Sequence, residues 1–412
     1  MKIGLGSTAV IATAGAITWN QLFDGPVRNA CRVDSLPSEL AEHSLMKEAF
    51  NGIDLTQLWD SHFHLIGTGL GNALDGKPSG MWVNPNMSSW LSPVQKIQYG
   101  FYLNAACITD EEKADVQFVN NVNSMLEQLP TGIKVMLLAF DYRYDDVAGK
   151  LQINQQGSTF HVPNEYAARV ANSSEKFGWI ASVHPYREDA IEKLEWCKEH
   201  GAKAIKWLPP AMNIDPSSSR CDQFYEKLIE LKLPLLTHAG DEKAVHSEEL
   251  QKYSNPLLLR RPLDKGVKII VAHCASLGSN LDIENPKQGL VANFELFARL
   301  MNDVNYSENC LADISAINLI NRDSDEIRQL IENESWHSRL LYASDFPLPG
   351  VMPVVSSKNL VANDLLEPSV VPFINQVRKH NVWLYDFLVK RFMRSNGVRF
   401  SDSVFQTSSH FS

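Results

Sequence analysis

Clustered basic charge is missing from this chain. Its 412 residues carry 38 Lys and Arg against 48 Asp and Glu, a formal net charge of −10, and no long run of Lys or Arg. Phosphate backbones are held by a clustered basic face, so nucleic acid is excluded as a partner. The acidic balance otherwise bears only on solubility. Cysteine is sparse: Cys31, Cys107, Cys197, Cys221, Cys274 and Cys310, with no C-x-x-C pair. That excludes a zinc ribbon and a thioredoxin-type motif. Six thiols in a chain this long build no disulfide scaffold, and they read as buried free cysteines. No G-x-G-x-x-G follows a predicted strand, so an open dinucleotide-binding sheet lacks support.

Long hydrophobic runs are absent too, with one near exception. Behind Lys2 lies an uncharged stretch, 3–23, rich in Ala, Gly, Ile, Val and Thr, and the first acid is Asp24. It reads as a secretory signal with a small-residue site at Ala12-Thr13-Ala14, as an uncleaved anchor with Trp19 at the water interface, or as an N-terminal segment of the fold. Its Gly, Ser and Thr make it a weak membrane span. Residues 1–30 are therefore expected to be a signal-like or membrane-anchor segment. The chain would then be exported or attached to a membrane through 3–23, with a cytoplasmic location as the alternative. Cys31 lies too far inside for a lipoprotein attachment site.

What is present is an ordinary globular composition, 44% hydrophobic and 21% charged, enough for a sizeable core. From about Leu55 one rhythm repeats: a short apolar run, a polar loop, then an amphipathic stretch. This pattern indicates βα units and a parallel sheet. Strands are predicted at 57–62, 133–140, 179–183, 202–207, 234–238, 267–273, 310–314 and 339–345. Helical spacing covers 189–199, with Gly201 as a C-cap signal, and also 222–231 and 325–332. Eight strands in this order predict an α/β fold, a (β/α)₈ TIM barrel, over residues 31–374. Long insertions, 67–131 and 141–177, follow strands 1 and 2. The second is predicted to hold a hairpin of LQIN and STFHV around Gln155-Gln156-Gly157. Residues 375–412 are predicted to form a C-terminal helix and tail packed on the barrel.

The chemistry-bearing residues gather at strand ends. Strand 1 carries Asp60-Ser61-His62-Phe63-His64. Residues two apart on a strand share a face, so His62 and His64 can hold one metal ion between them. Strand 5 ends in His238, strand 6 in His273 and strand 8 in Asp345. These are further potential ligands on the face where barrels build their sites.

These segments, WDSHFHL, GAKAIKWLPP, LPLLTHAGD, VKIIVAHC and LLYASDFPLP, resemble in this order the amidohydrolase superfamily. Within it the chain is similar to the amidohydrolase-related group of metal-dependent hydrolases and decarboxylases. The resemblance spans about 55–348. It implies His62, His64, His238 and Asp345 as metal ligands, with Asp345 also shuttling protons. His273 would bind a second metal or polarise the substrate or the water. Lys206 would bridge two metals as a carboxylated lysine, or stay off the metal as in mononuclear relatives, paired with a carboxylate inside the barrel. One or two divalent ions are implied. Zinc suits imidazole and carboxylate donors, and manganese or iron would also fit.

The reaction expected is attack of a metal-activated water on a carbonyl carbon of a small carboxylated amide, lactone or ester, with Asp345 as acid–base and His273 stabilising the oxyanion. Arg143, His184, Tyr186, Arg187 and Trp207, at or just past strand ends, are the candidates for binding that small-molecule substrate. A non-oxidative decarboxylase is the alternative reaction. A non-enzymatic membrane-tethered binding protein is the alternative class. The sequence leaves the oligomeric state open.

Overall fold

The computed structural model describes residues 27–33, 35–242, 245 and 248–411. The uncharged stretch 3–23, and all but the last four residues of the expected segment 1–30, therefore lie outside the described residues. Among those described, no helix is long and apolar enough to cross a membrane.

Eight parallel strands carry the described part of the fold: β1 Trp59–His64, β2 Lys134–Leu138, β3 Phe177–Ile180, β4 Ile205–Trp207, β5 Leu235–His238, β6 Ile269–Ala272, β7 Cys310–Asp313 and β8 Leu340–Leu341. Their order follows the sequence. β1 pairs with β2 and β2 with β3, while β4 through β8 pair in turn. Backbone hydrogen bonds join both seams. Ala181 N donates to Ala204 O at 2.9 Å between β3 and β4. Asp345 N donates to His62 O at 2.9 Å, and His64 N to Phe346 O at 3.0 Å, between β8 and β1. The eight strands thus form the TIM barrel that the periodicity predicts.

Alternating side chains build two apolar layers. Met136, Leu138, Ile180, Leu236, Ile270, Leu311 and Leu341 fill the inside. Phe411 of the tail joins this cluster, its ring 6.5 Å from that of Trp59, so the C-terminal tail plugs the lower end of the barrel. The other strand faces pack on helices such as Ala190–Glu199 and Asp222–Leu231. The first of these ends where Gly201 takes a φ of +86°, a left-handed turn that glycine enters without a Cβ penalty.

Two expectations are corrected. The hairpin in the second insertion pairs Tyr144–Val147 with Lys150–Ile153. It turns on Ala148-Gly149, both at positive φ, as tight hairpin turns require. The STFHV segment instead sends Phe160–His161 to pair with Trp82–Val83, which stitches the two insertions together. Cys31 and Cys107 form a disulfide with Cα atoms 5.5 Å apart, while Cys197, Cys221, Cys274 and Cys310 are buried free thiols. The pairing spans 76 residues. It depends on a fold contact that spacing does not reveal: Asn29 N donates to Asn104 Oδ1 at 3.0 Å.

Candidate metal centre

β1 contains one residue more than its partner between Asp60 and Phe63. Such a bulge re-aims side chains. Below it, Trp59 packs with the interior cluster, and Asp60 turns outward to accept from Trp383 Nε1 at 2.8 Å. Above it, His62 and His64 point inward. Phe63, between them, points out and stacks on Phe346 with centroids 4.4 Å apart. That outer packing holds the two imidazoles on the inner face.

Asp345 sits four residues beyond β8 in a left-handed conformation, φ 58°. Its Oδ1 is 3.0 Å from His64 Nε2 and 3.6 Å from His62 Nε2. Ligands at ~2.0–2.1 Å from a tetrahedral zinc stand roughly 3.4 Å apart. The trio therefore has the spacing of a coordination shell. Its three donors also lie within 4.8 Å of one another, as do those of His62, His273 and Asp313. The donor set and spacing fit a divalent ion.

Asp313, at the end of β7, was not foreseen from the sequence. His62 Nδ1 lies 2.9 Å from its Oδ2, and its Oδ1 accepts from the backbone N–H of His273 and of Ser315 at 2.9 and 3.0 Å. A carboxylate behind a histidine fixes the tautomer and raises the basicity of the far nitrogen. Burial pushes Asp313 up, but His62, His273 and Ser315 outweigh it and hold the carboxyl well below the usual range. Asp345 behaves alike: burial raises it, and His273, His62 and His64 pull it far down. The three buried histidines shift the other way. Burial first, then Lys206, lowers His62, and burial is also the main cause for His238 and His273. Neutral imidazoles and ionised carboxylates are the forms that bind metal.

His273 follows β6 at φ 56°, the first of three successive left-handed residues. Its Nδ1 lies 2.7 Å from Ser315 Oγ and 4.0 Å from Asp345 Oδ2. Ser315 Oγ donates to Asp313 Oδ1, so it accepts from His273 Nδ1–H. That leaves His273 Nε2 with its lone pair.

His238 reaches the same end of the barrel, its ring 5.2 Å from that of His273. Its nitrogens face Gly240 O at 3.1 Å and Glu242 Oε2 at 3.5 Å, and it belongs to neither trio. Lys206 is buried, with Nζ 3.2 Å from His62 Nε2. Among the described residues no carboxylate lies within 4 Å of it, which corrects the expected carboxylate pairing. Its field still reaches Asp313, Asp345 and Glu242, and burial lowers its pKa to about 8.

The substrate-binding candidates are not gathered here. Trp207 lies on the outer face of β4, fully buried against Phe224 and Tyr225, with Nε1 donating to Val183 O. With Lys206 facing inward, strand alternation requires this. His184 is buried against Met212 O. Tyr186 donates its hydroxyl to Asp215 O. Arg143 is bound to Asp145, and Arg187 to Asp141 and Asp189. The insertion helix Pro93–Ala105 brings Tyr102 within electrostatic reach of Asp345 and Glu242.

The amidohydrolase family model matches residues 128–363. This range holds Lys206, His238, His273, Asp313 and Asp345 and leaves the H-x-H pair of β1 outside. No curated protein matches the chain in sequence. An uncharacterized TIM-barrel protein from Bordetella bronchiseptica is similar at 13% identity, covering 80% of this chain and 99% of that one, with a TM-score of 0.46. A putative 2-pyrone-4,6-dicarboxylic acid hydrolase from Pseudomonas putida is similar at 13% identity, over 76% and 93% of the two chains, with a TM-score of 0.43. A 2,6-dihydroxybenzoate decarboxylase is similar at 11% identity, over 80% and 98%, with a TM-score of 0.42.

Proposed function

The chain belongs to the amidohydrolase family, and from that membership we propose that it is a zinc-dependent hydrolase acting at a carbonyl carbon of a small molecule. The observation that carries the reading is the convergence of His62, His64 and Asp345 at coordination spacing, with Asp313 braced behind His62. In this reading His62, His64 and Asp345 would hold the ion, with His238, at the same end of the barrel, as the further ligand. A divalent cation bound there supplies Lewis acidity toward a water and a carbonyl oxygen.

The chain's own residues do the rest. Asp345 turns Oδ1 toward His64 and Oδ2 toward His273. It therefore stands between the ligands and a second proton-carrying group, where an acid–base is needed. Ser315 Oγ accepts the Nδ1–H hydrogen bond of His273, so His273 offers Nε2 as an acceptor or ligand. Lys206 supplies a positive charge beside His62 without occupying a carboxylate.

The reading extends to location. The Cys31–Cys107 disulfide supports export or membrane anchoring, since such bonds persist in oxidising compartments. So does the uncharged stretch behind Lys2.

The reaction is tested by assaying zinc-loaded protein against carboxylated lactones, esters and amides, and against carboxylated phenols with carbon dioxide trapping. Hydrolysis that Asp345→Asn abolishes supports the proposal. Carbon dioxide release without hydrolysis replaces it with decarboxylation. Wild-type turnover in Asp345→Asn removes the role given to Asp345.

A further inference from the structure

We propose that Arg322 receives a carboxylate group of the substrate at the mouth of the metal centre, which makes the substrate a small carboxylic acid. This deepens the hydrolase reading and rests on it for the chemistry that follows binding.

The loop leaving β7 supplies the site and this arginine together. Asp313 and Ser315 touch His62 and His273. The next residue, Ala316, takes φ 54° and turns the chain. Its carbonyl then accepts from Arg322 Nε at 3.2 Å, which ties the half-buried Arg322 head back to the loop that carries Asp313 and Ser315. A guanidinium has five N–H donors. Nε is used here, and the four on the two Nη atoms form the fork that matches a carboxylate.

Among the described residues, no Asp or Glu oxygen comes within 4 Å of that fork. The contrast with the other candidates is direct. Arg143 is bound to Asp145 at 2.9 Å. Arg187 is bound to Asp141 at 3.1 Å and to Asp189 at 2.8 Å. Both guanidinium groups are already committed, whereas the Nη fork of Arg322 has no ion pair among the described residues.

Its charge reaches the site. His238, Glu242 and Asp345 all feel Arg322. The acid that could neutralise it from the following helix, Glu326, makes no ion pair with it, and burial raises the pKa of Glu326 to about 7. A half-buried cation with no ion pair among the described residues forgoes the stabilisation of close pairing. Departures of this kind from local consistency collect where a ligand supplies the missing partner.

The test uses malonate and succinate as probes, with malonamide as the uncharged control. Binding is followed by calorimetry to zinc-loaded and metal-free full-length protein, for wild type, Arg322→Gln and Arg322→Lys. The expected result is a loss of about 10-fold or more in dicarboxylate affinity in Arg322→Gln, the scale of a charge-assisted hydrogen bond. Arg322→Lys should recover part of it. Malonamide affinity, zinc content and melting temperature should not change. Equal dicarboxylate affinity in wild type and Arg322→Gln at equal zinc content overturns the inference, as does failure of wild type to bind either dicarboxylate. Protein that takes up no zinc removes the hydrolase reading, while Arg322-dependent binding in that same protein still supports this one.

Discussion

His62 Nδ1 and Asp313 Oδ2 stand 2.9 Å apart, both wholly buried. This contact decides which nitrogen of His62 faces the centre. With Nδ1–H donated to a carboxylate held ionised, Nε2 keeps its lone pair toward Asp345 and Lys206. Asp313 acts on His62 from the Nδ1 side, away from Asp345.

Replacing Asp313 by Asn should therefore weaken metal binding about 10–100-fold, the usual cost of removing a carboxylate behind a ligating histidine. Competitive zinc titration with a chelator reads it. Unchanged zinc affinity in a folded Asp313→Asn protein would count against the brace.

Lys206 buries an ammonium with no carboxylate within 4 Å among the described residues. A buried charge without a directly paired carboxylate costs free energy that an apolar side chain of similar length does not. Lys206→Met should raise the stability of metal-free protein by about 1–3 kcal/mol and lower turnover, the trade typical of functional sites. Urea unfolding and the hydrolase assay measure the two halves separately.

Asp386 and Lys390 form the opposite case, a buried pair at 2.7 Å on the helix Val382–Phe392. Asn318 and Tyr342 add hydrogen bonds to Asp386, and Lys390 also donates to Ala343 O. Breaking one partner leaves the other charge stranded. Lys390→Met should destabilise the fold by about 3–5 kcal/mol, and the double replacement Asp386→Leu/Lys390→Met should recover much of that loss. Denaturant midpoints of the three proteins decide it.

His184 gives a pH dependence. Burial lowers its pKa from 6.5 to about 4, against an opposing pull from Asp141. The unfolded chain gains a proton near pH 6.5, whereas the folded one resists until about 4. Stability is therefore full above about 6.5 and falls as the pH drops toward 4, by about 3 kcal/mol from this group. His184→Gln keeps a donor for Met212 O and loses the titration. Its unfolding free energy should fall less than that of wild type between pH 7.5 and pH 4.5, and parallel curves would refute the assignment.

The Cys31–Cys107 bond closes a loop of 76 residues. Replacing both by Ser should cost up to about 4 kcal/mol on the chain-entropy account. Peptide mapping without reductant should recover the two cysteines linked. Recovery as free thiols from exported protein would remove the bond and its support for an oxidising compartment.

The strands were legible because most are short apolar runs between polar breaks. Their ends pointed to His238, His273 and Asp345. Three features escape the strand pattern by itself. The bulge between Asp60 and Phe63 leaves no mark in an alternating pattern, yet it turns Asp60 away from the histidine face. Asp313 carried a signal that went unread, an acid closing the apolar run CLAD much as Asp345 follows RLLYAS. Trp207 could have been assigned outward from the inward reading of Lys206, two neighbours on one strand. The ion pairs of the arginine candidates were not legible for another reason: their partners Asp141, Asp145 and Asp189 lie in the insertion or just before a helix, and their approach depends on tertiary packing.

The most direct test of the account is metal content, measured by plasma mass spectrometry on protein purified without chelator, beside a His62→Ala/His64→Ala variant. The account predicts about one tightly bound divalent ion per wild-type chain and its loss from the variant. If neither protein retains metal or takes up added zinc or manganese, the convergence of His62, His64 and Asp345 is not a metal centre and the account is contradicted.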